Sequence, residues 1–296
     1  MIGYLYLTIA LTAGLVKGFS GKKVSRDVIS LNDGFTVNTI RTLFCSLIGF
    51  VVAVLDVGFS GFYISLESIA ICFASSVFMA TFSISWLYAY KSEAYVFLNV
   101  FTMLGSVATA LLGWIFYGDQ IKVVQIIGFI LLFVAVYVVS LYNKNLKGKM
   151  TKRAVFTLII GGVGVALSDF MQKVFIKENL GAPCVFTFYT YALMIIPQLV
   201  ALLVFRKSKQ ATSNPLLCDK RHISIFFIMS VALYVNVITK TLAVGYIPST
   251  QMYPTLQGAN LIASAILASI LFKERITKKS IVGILIALAS VIVINL

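Results

Sequence analysis

Three charged side chains stand out inside apolar stretches of this sequence: Arg41, Asp169 and Lys240. A charge near the centre of a bilayer costs about 2.5–3.5 kcal/mol on insertion scales, so each is expected to face a cavity or a partner rather than lipid. Lys240 follows Asn236 by four residues, which puts both on one face of a helix. In the next apolar run Tyr253, Gln257 and Asn260 recur at i, i+4 and i+7, again on one face. If the two runs pack side by side, these five residues form a polar wall on which Lys240 can hold a carboxylate or a phosphate. The competing reading is a lysine that snorkels to the nearer interface, since Lys240 lies close to the end of its run.

Asp169 also has two readings. Gln172 and Lys173 follow at i+3 and i+4, so a pair within one helix would satisfy the carboxylate. Alternatively, a carboxylate set in a cavity has a raised affinity for a proton and can take one up and release it. Arg41 lies two turns into its run, which suits a structural or gating role better than substrate contact. In the first half of the chain Thr81, Ser85 and Tyr88 share a face, with Trp86 beside them. Trp86 and Tyr88 fit a cavity lining and an interfacial aromatic belt equally well. Asn99, Thr102 or Met103, and Ser106 share a face of the next run, where an amide far from the interface wants a partner. The expected substrate contacts are therefore Lys240, Asn236, Tyr253, Gln257, Asn260, Asn99, Tyr88 and Trp86, with Asp169 and Arg41 as coupling or gating residues.

Hydrolytic and metal chemistry find little support. His222 is the only histidine, and Cys45, Cys72, Cys184 and Cys218 have no metal-binding or redox spacing. No metal and no cofactor is expected. An intramembrane enzyme would need nucleophile, base or paired carboxylates at one depth, whereas Asp169 is the one carboxylate well inside a run. A channel would want rings of identical residues from symmetric subunits.

The elements that carry these residues follow from composition. Hydrophobic residues make up 60% of the chain and charged residues 11%, against about 25% charged in an average soluble domain. The mean hydropathy is +0.99. So little charge cannot cover a globule in water, so the outer surface must face lipid. Apolar runs fall at 2–23, 34–55, 66–89, 93–117, 122–142, 153–176, 183–205, 222–245, 248–272 and 279–295. Each must satisfy its own backbone in lipid, and strict alternation is absent, so the runs are predicted helices rather than barrel strands. The first reads as a span rather than a cleaved signal segment. The longest connections, 143–152 and 206–221, are basic and polar.

The net charge of +14 sits in the gaps between runs, as orientation signals do; nucleic acid is not an expected partner. One side collects Lys22, Lys23, Arg26, Lys91 and the basic residues of 144–153, 206–221 and 273–279. The other side has only Lys122, Lys173 and Lys177. The positive-inside rule makes the rich side cytoplasmic and leaves both termini outside the plasma membrane.

The halves also resemble one another. Gly14 and Lys23-Val24 match Gly164 and Lys173-Val174; Phe35-Thr36 and Thr39 match Phe186-Thr187 and Thr190; Asp119, Ile121 and Gly128 match Glu274, Ile276 and Gly283. Five spans is an odd number, so the second copy enters the membrane upside down, an inverted repeat of the kind secondary transporters use. The expected fold is an all-α membrane protein of ten transmembrane helices, in two inverted five-helix repeats (1–146 and 147–296) around a central cavity.

The stretch from Tyr253-Pro254-Thr255 through Phe272-Lys273-Glu274-Arg275-Ile276 to Gly283 resembles the C-terminal end of EamA-like proteins of the drug/metabolite transporter superfamily. Arg41 is similar to an arginine common near the start of the second span in that family. The first-half counterpart departs, with Asp119-Gln120 where the second half has Glu274-Arg275. The resemblance implies helices one, three and four and their counterparts six, eight and nine around the cavity. It implies a secondary transporter, an exporter or exchanger of a small polar metabolite, anionic or zwitterionic. The expected partners are that small molecule, the lipid bilayer, and a proton or an exchanged solute, with the chain a monomer or homodimer.

Overall fold

The computed structural model describes residues 1–25, 27–28, 30–91, 95–142, 152–206, 219–272 and 278–296. Among them are ten α-helices: α1 (Ile2–Ser25), α2 (Leu31–Val57), α3 (Leu66–Lys91), α4 (Tyr95–Tyr117), α5 (Val123–Tyr142), α6 (Lys152–Lys177), α7 (Pro183–Arg206), α8 (Lys220–Val244), α9 (Ser249–Phe272) and α10 (Lys278–Ile294). A short 3-10 turn, Phe59–Phe62, links α2 to α3. No strand occurs among the described residues. Six of the helices are long and apolar enough to cross a membrane by length and composition. The chain is a multi-pass membrane protein.

Local sequence explains where the helices start and stop. Ser30 begins α2 with a reciprocal cap: its Oγ accepts from the Asp33 amide at 3.1 Å, and Asp33 Oδ2 accepts from the Ser30 amide at 2.9 Å. Gly58, at φ 65°, ends α2 in a backbone conformation that other residues avoid. The outer faces carry exposed large apolar residues, such as Ile127 and Ile130 on α5 and Leu199, Val200 and Leu203 on α7, as lipid contact requires.

Partners are chosen across the two halves. The closest packings are α5 with α10, α1 with α8, α3 with α6, α2 with α7, and α4 with both α6 and α9. Hydroxyl groups bind these faces together: Ser85 donates to the Thr157 carbonyl at 2.8 Å, Thr109 to the Ala166 carbonyl at 3.1 Å, and Ser75 meets Ser168 at 3.1 Å. Thr81 and Ser85, expected to share a cavity face, thus serve the contact with α6 or their own helix.

Glycine brings α4 and α6 close. A Cβ at Gly105 would stand 2.6 Å from the Gly162 carbonyl oxygen, a backbone atom that cannot swing aside. Gly105→Ala is therefore expected to destabilise the protein by about 1–3 kcal/mol, as overpacking does. Thermal unfolding in detergent would measure it, and an unchanged midpoint would show that the two helices part freely.

Candidate functional site

Asp169 sits on α6 with its side chain only 6% exposed, and its Oδ1 is ion-paired with Lys240 Nζ of α8, itself 14% exposed. The expected partner one turn away, Lys173, is not used. Lys240 accordingly does not snorkel to an interface; it turns inward, and its Nζ also lies 5.8 Å from the ring centroid of Tyr253. Tyr253 of α9 donates from its hydroxyl to the Asp169 carbonyl at 2.8 Å and approaches Gln172 Oε1 at 3.3 Å. Gln172 in turn donates from Nε2 to Thr241 Oγ1 on α8. Three helices, α6, α8 and α9, are joined at this one point. Asp169 Oδ2 is buried and has no hydrogen-bond partner among the described residues.

The polar wall forms differently from the sequence expectation. Helices α8 and α9 barely touch, because α1 packs against both of them. Asn236 donates from Nδ2 to the Ala10 carbonyl of α1 at 2.6 Å. Asn236 and Asn260 then face each other across Gly14 of α1, where a side chain would meet both amides. Gln257, one turn beyond Tyr253, is half-buried. The five residues therefore lie on two helices that α1 bridges, rather than on two adjacent ones.

The same centre holds a residue that the sequence reading passed over. Lys17 of α1 is half-buried and lies within electrostatic reach of Arg41, Lys240 and Asp169. Its signal was a lysine between Gly14 and Gly18 in an apolar run. Arg41 is buried on α2; its guanidinium donates to Asn38 Oδ1 at 3.1 Å, and its carbonyl accepts from Ser230 of α8 at 3.2 Å. Lys17, Arg41, Lys240 and Asp169 thus bring four charged side chains from four helices into one region. Trp86, Tyr88 and Asn99 have side chains outside the described residues.

Lys173 belongs to a second cluster. It is 1% exposed and ion-paired with Asp119 Oδ2, which follows α4. Lys173 Nζ also donates to Ser249 Oγ at 2.9 Å and lies 5.1 Å from the Tyr117 ring. Ser249 begins α9 and gives Asp119 Oδ2 both its amide, at 3.2 Å, and its hydroxyl, at 2.5 Å. Lys173 is thus a buried structural cation and not a loop charge that signals orientation. Both chain termini lie at this end of the bundle, where Tyr4 bonds Asn295 at 2.9 Å and Lys122 bonds the Leu296 carbonyl at 3.1 Å. Among the described residues, no three His, Cys, Asp or Glu side chains converge on a metal-sized site.

Residues 152–296, the segment carrying Asp169, Lys240 and Tyr253, match the EamA-like transporter family. A relative from Archaeoglobus fulgidus, named an uncharacterized transporter, is 25% identical over 296 residues, covering 99% of this chain and 98% of that one. A solved crystal structure superposes with a TM-score of 0.71 over 98% of this chain and 95% of its own, at 11% identity. That last likeness is one of fold. The EamA-like half supplies every residue of the Asp169–Lys240–Tyr253 junction, whereas Lys17 and Arg41 come from the first half.

Proposed function

We propose that this protein is a secondary active transporter, an exporter or exchanger, that moves a small anionic or zwitterionic metabolite across the plasma membrane by alternating access. The observation that carries the reading is the gathering of Lys17, Arg41, Lys240 and Asp169 within helices of a lipid-facing bundle. Charges at such depth are costly, and they persist where a polar solute must pass. The family match supports transport rather than catalysis. Asn236, Tyr253, Gln257 and Asn260 are the expected further contacts, and Trp86, Tyr88 and Asn99 extend the set in the first half.

The helix partners support two inverted five-helix repeats. Advancing every label by five, with α6–α10 returning to α1–α5, turns the α1–α8 packing into α6–α3 and maps α2–α7, α4–α9 and α5–α10 onto themselves. Each of these packings is present. Such symmetry lets the two halves exchange conformations, giving two states of similar energy around one central site. The distribution of basic residues supports outward-facing termini.

Reconstitution into proteoliposomes with a panel of organic anions and zwitterions tests the reading. Saturable uptake that rises when the same solute is preloaded inside is the expected result. Conductance independent of any solute would make the protein a channel, and chemical turnover without uptake would make it an enzyme.

A further inference from the structure

We propose that Lys17 is the anion-holding residue of the central site, taking a carboxylate or phosphate group of the ligand, while Lys240 is held by Asp169. The inference rests on the transporter reading for its purpose, but its binding chemistry can be tested alone. Lys240 was the lysine that the sequence pointed to, yet its ammonium is already engaged by a buried carboxylate. Lys17 is half-buried in the same centre, and among the described residues no carboxylate forms an ion pair with it. Arg41 and Lys240, both of like charge, act on it together with the opposite charge of Asp169, so three cations face one carboxylate and a negative guest offsets the excess.

The packing one turn from Lys17 is polar. One turn earlier, Gly14 has no side chain, and Asn236 Nδ2 and Asn260 Oδ1 stand 3.2 and 3.3 Å from where its Cβ would be. Amide groups there can bond the hydroxyl or amino groups of a small metabolite while Lys17 binds its charged end. The buried, unpartnered Oδ2 of Asp169 is a further acceptor in the centre, fit for a donor on the same ligand. A small organic acid or phosphate ester that also carries hydrogen-bond donors matches this arrangement.

Thermal unfolding of the purified full-length protein in detergent tests the proposal, with succinate, inorganic phosphate and chloride as probes at equal ionic strength. Succinate or phosphate is expected to raise the midpoint above the chloride value, and the larger shift names the preferred group. Lys17→Gln is expected to weaken apparent affinity about tenfold or more, and Lys17→Arg to stay within about threefold of wild type. Lys17→Met guards against mere misfolding: with no anion present it should unfold at a higher temperature than wild type, because an unpaired charge has been removed. Wild-type affinity in Lys17→Gln, no anion response beyond chloride in the wild type, or a lower midpoint for anion-free Lys17→Met would each overturn the proposal. Anion binding through Lys17 in a protein that moves no solute into liposomes would leave this site standing and remove the transport reading.

Discussion

Lys240→Met is expected to lower the unfolding free energy by about 3–5 kcal/mol, the usual cost of removing one partner from a buried pair. The size follows from burial: Asp169 is 6% exposed and Lys240 14%, so water cannot replace the lost ammonium. From sequence alone, loss of transport with the fold intact is the natural expectation for a Lys240 variant. The ion pair makes a stability loss the first effect. Adding Asp169→Asn to Lys240→Met should recover most of that loss, because a neutral amide needs no counter-ion and its carbonyl is unchanged for Tyr253. Thermal unfolding of the two single variants and the double variant forms the cycle that checks this. Additive losses would mean that the two side chains do not interact.

The second large effect is expected at the end of the bundle that holds the termini. Asp119→Ala leaves Lys173, 1% exposed, with only Ser249 and the face of Tyr117 for company. The expected cost is again about 3–5 kcal/mol. It should exceed that of Lys173→Met, because the Asp119 side chain, at 11% exposure, can turn toward water when its partner is lost. Hydrogen exchange gives a second readout. In Asp119→Ala, amides near Ser249 should exchange faster, since this cluster ties the end of α4 to α6 and the start of α9. Equal stability losses for the two variants would argue against this asymmetry of burial.

The helices were legible because lipid imposes a simple rule on composition. Observed and expected spans differ by at most three residues at any end, as between 34–55 and Leu31–Val57, where the Ser30–Asp33 cap extends α2 backward. Partner choice was not legible. Asp169 has a lysine four residues on, yet it pairs with one on another helix, 71 residues away. Local spacing records which contacts are possible within a helix, and tertiary packing decided between them. The same holds for the five residues expected to form a polar wall, whose geometry depends on α1 packing against both α8 and α9. Lys17 has no acidic residue one turn away in the sequence, and only the folded bundle places it near Arg41, Lys240 and Asp169.

The central claim is that this charged centre is where a solute crosses. Counterflow uptake of labelled organic anions into proteoliposomes tests it most directly, comparing wild type with the Lys240→Met/Asp169→Asn double variant, whose fold the cycle above checks first. The wild type is expected to accumulate at least one anion saturably, and the double variant, equally inserted, to retain about a tenth of that rate or less, a loss of about 1.4 kcal/mol or more in transition-state stabilisation. Undiminished uptake by the double variant would place the route of the solute elsewhere and contradict the account.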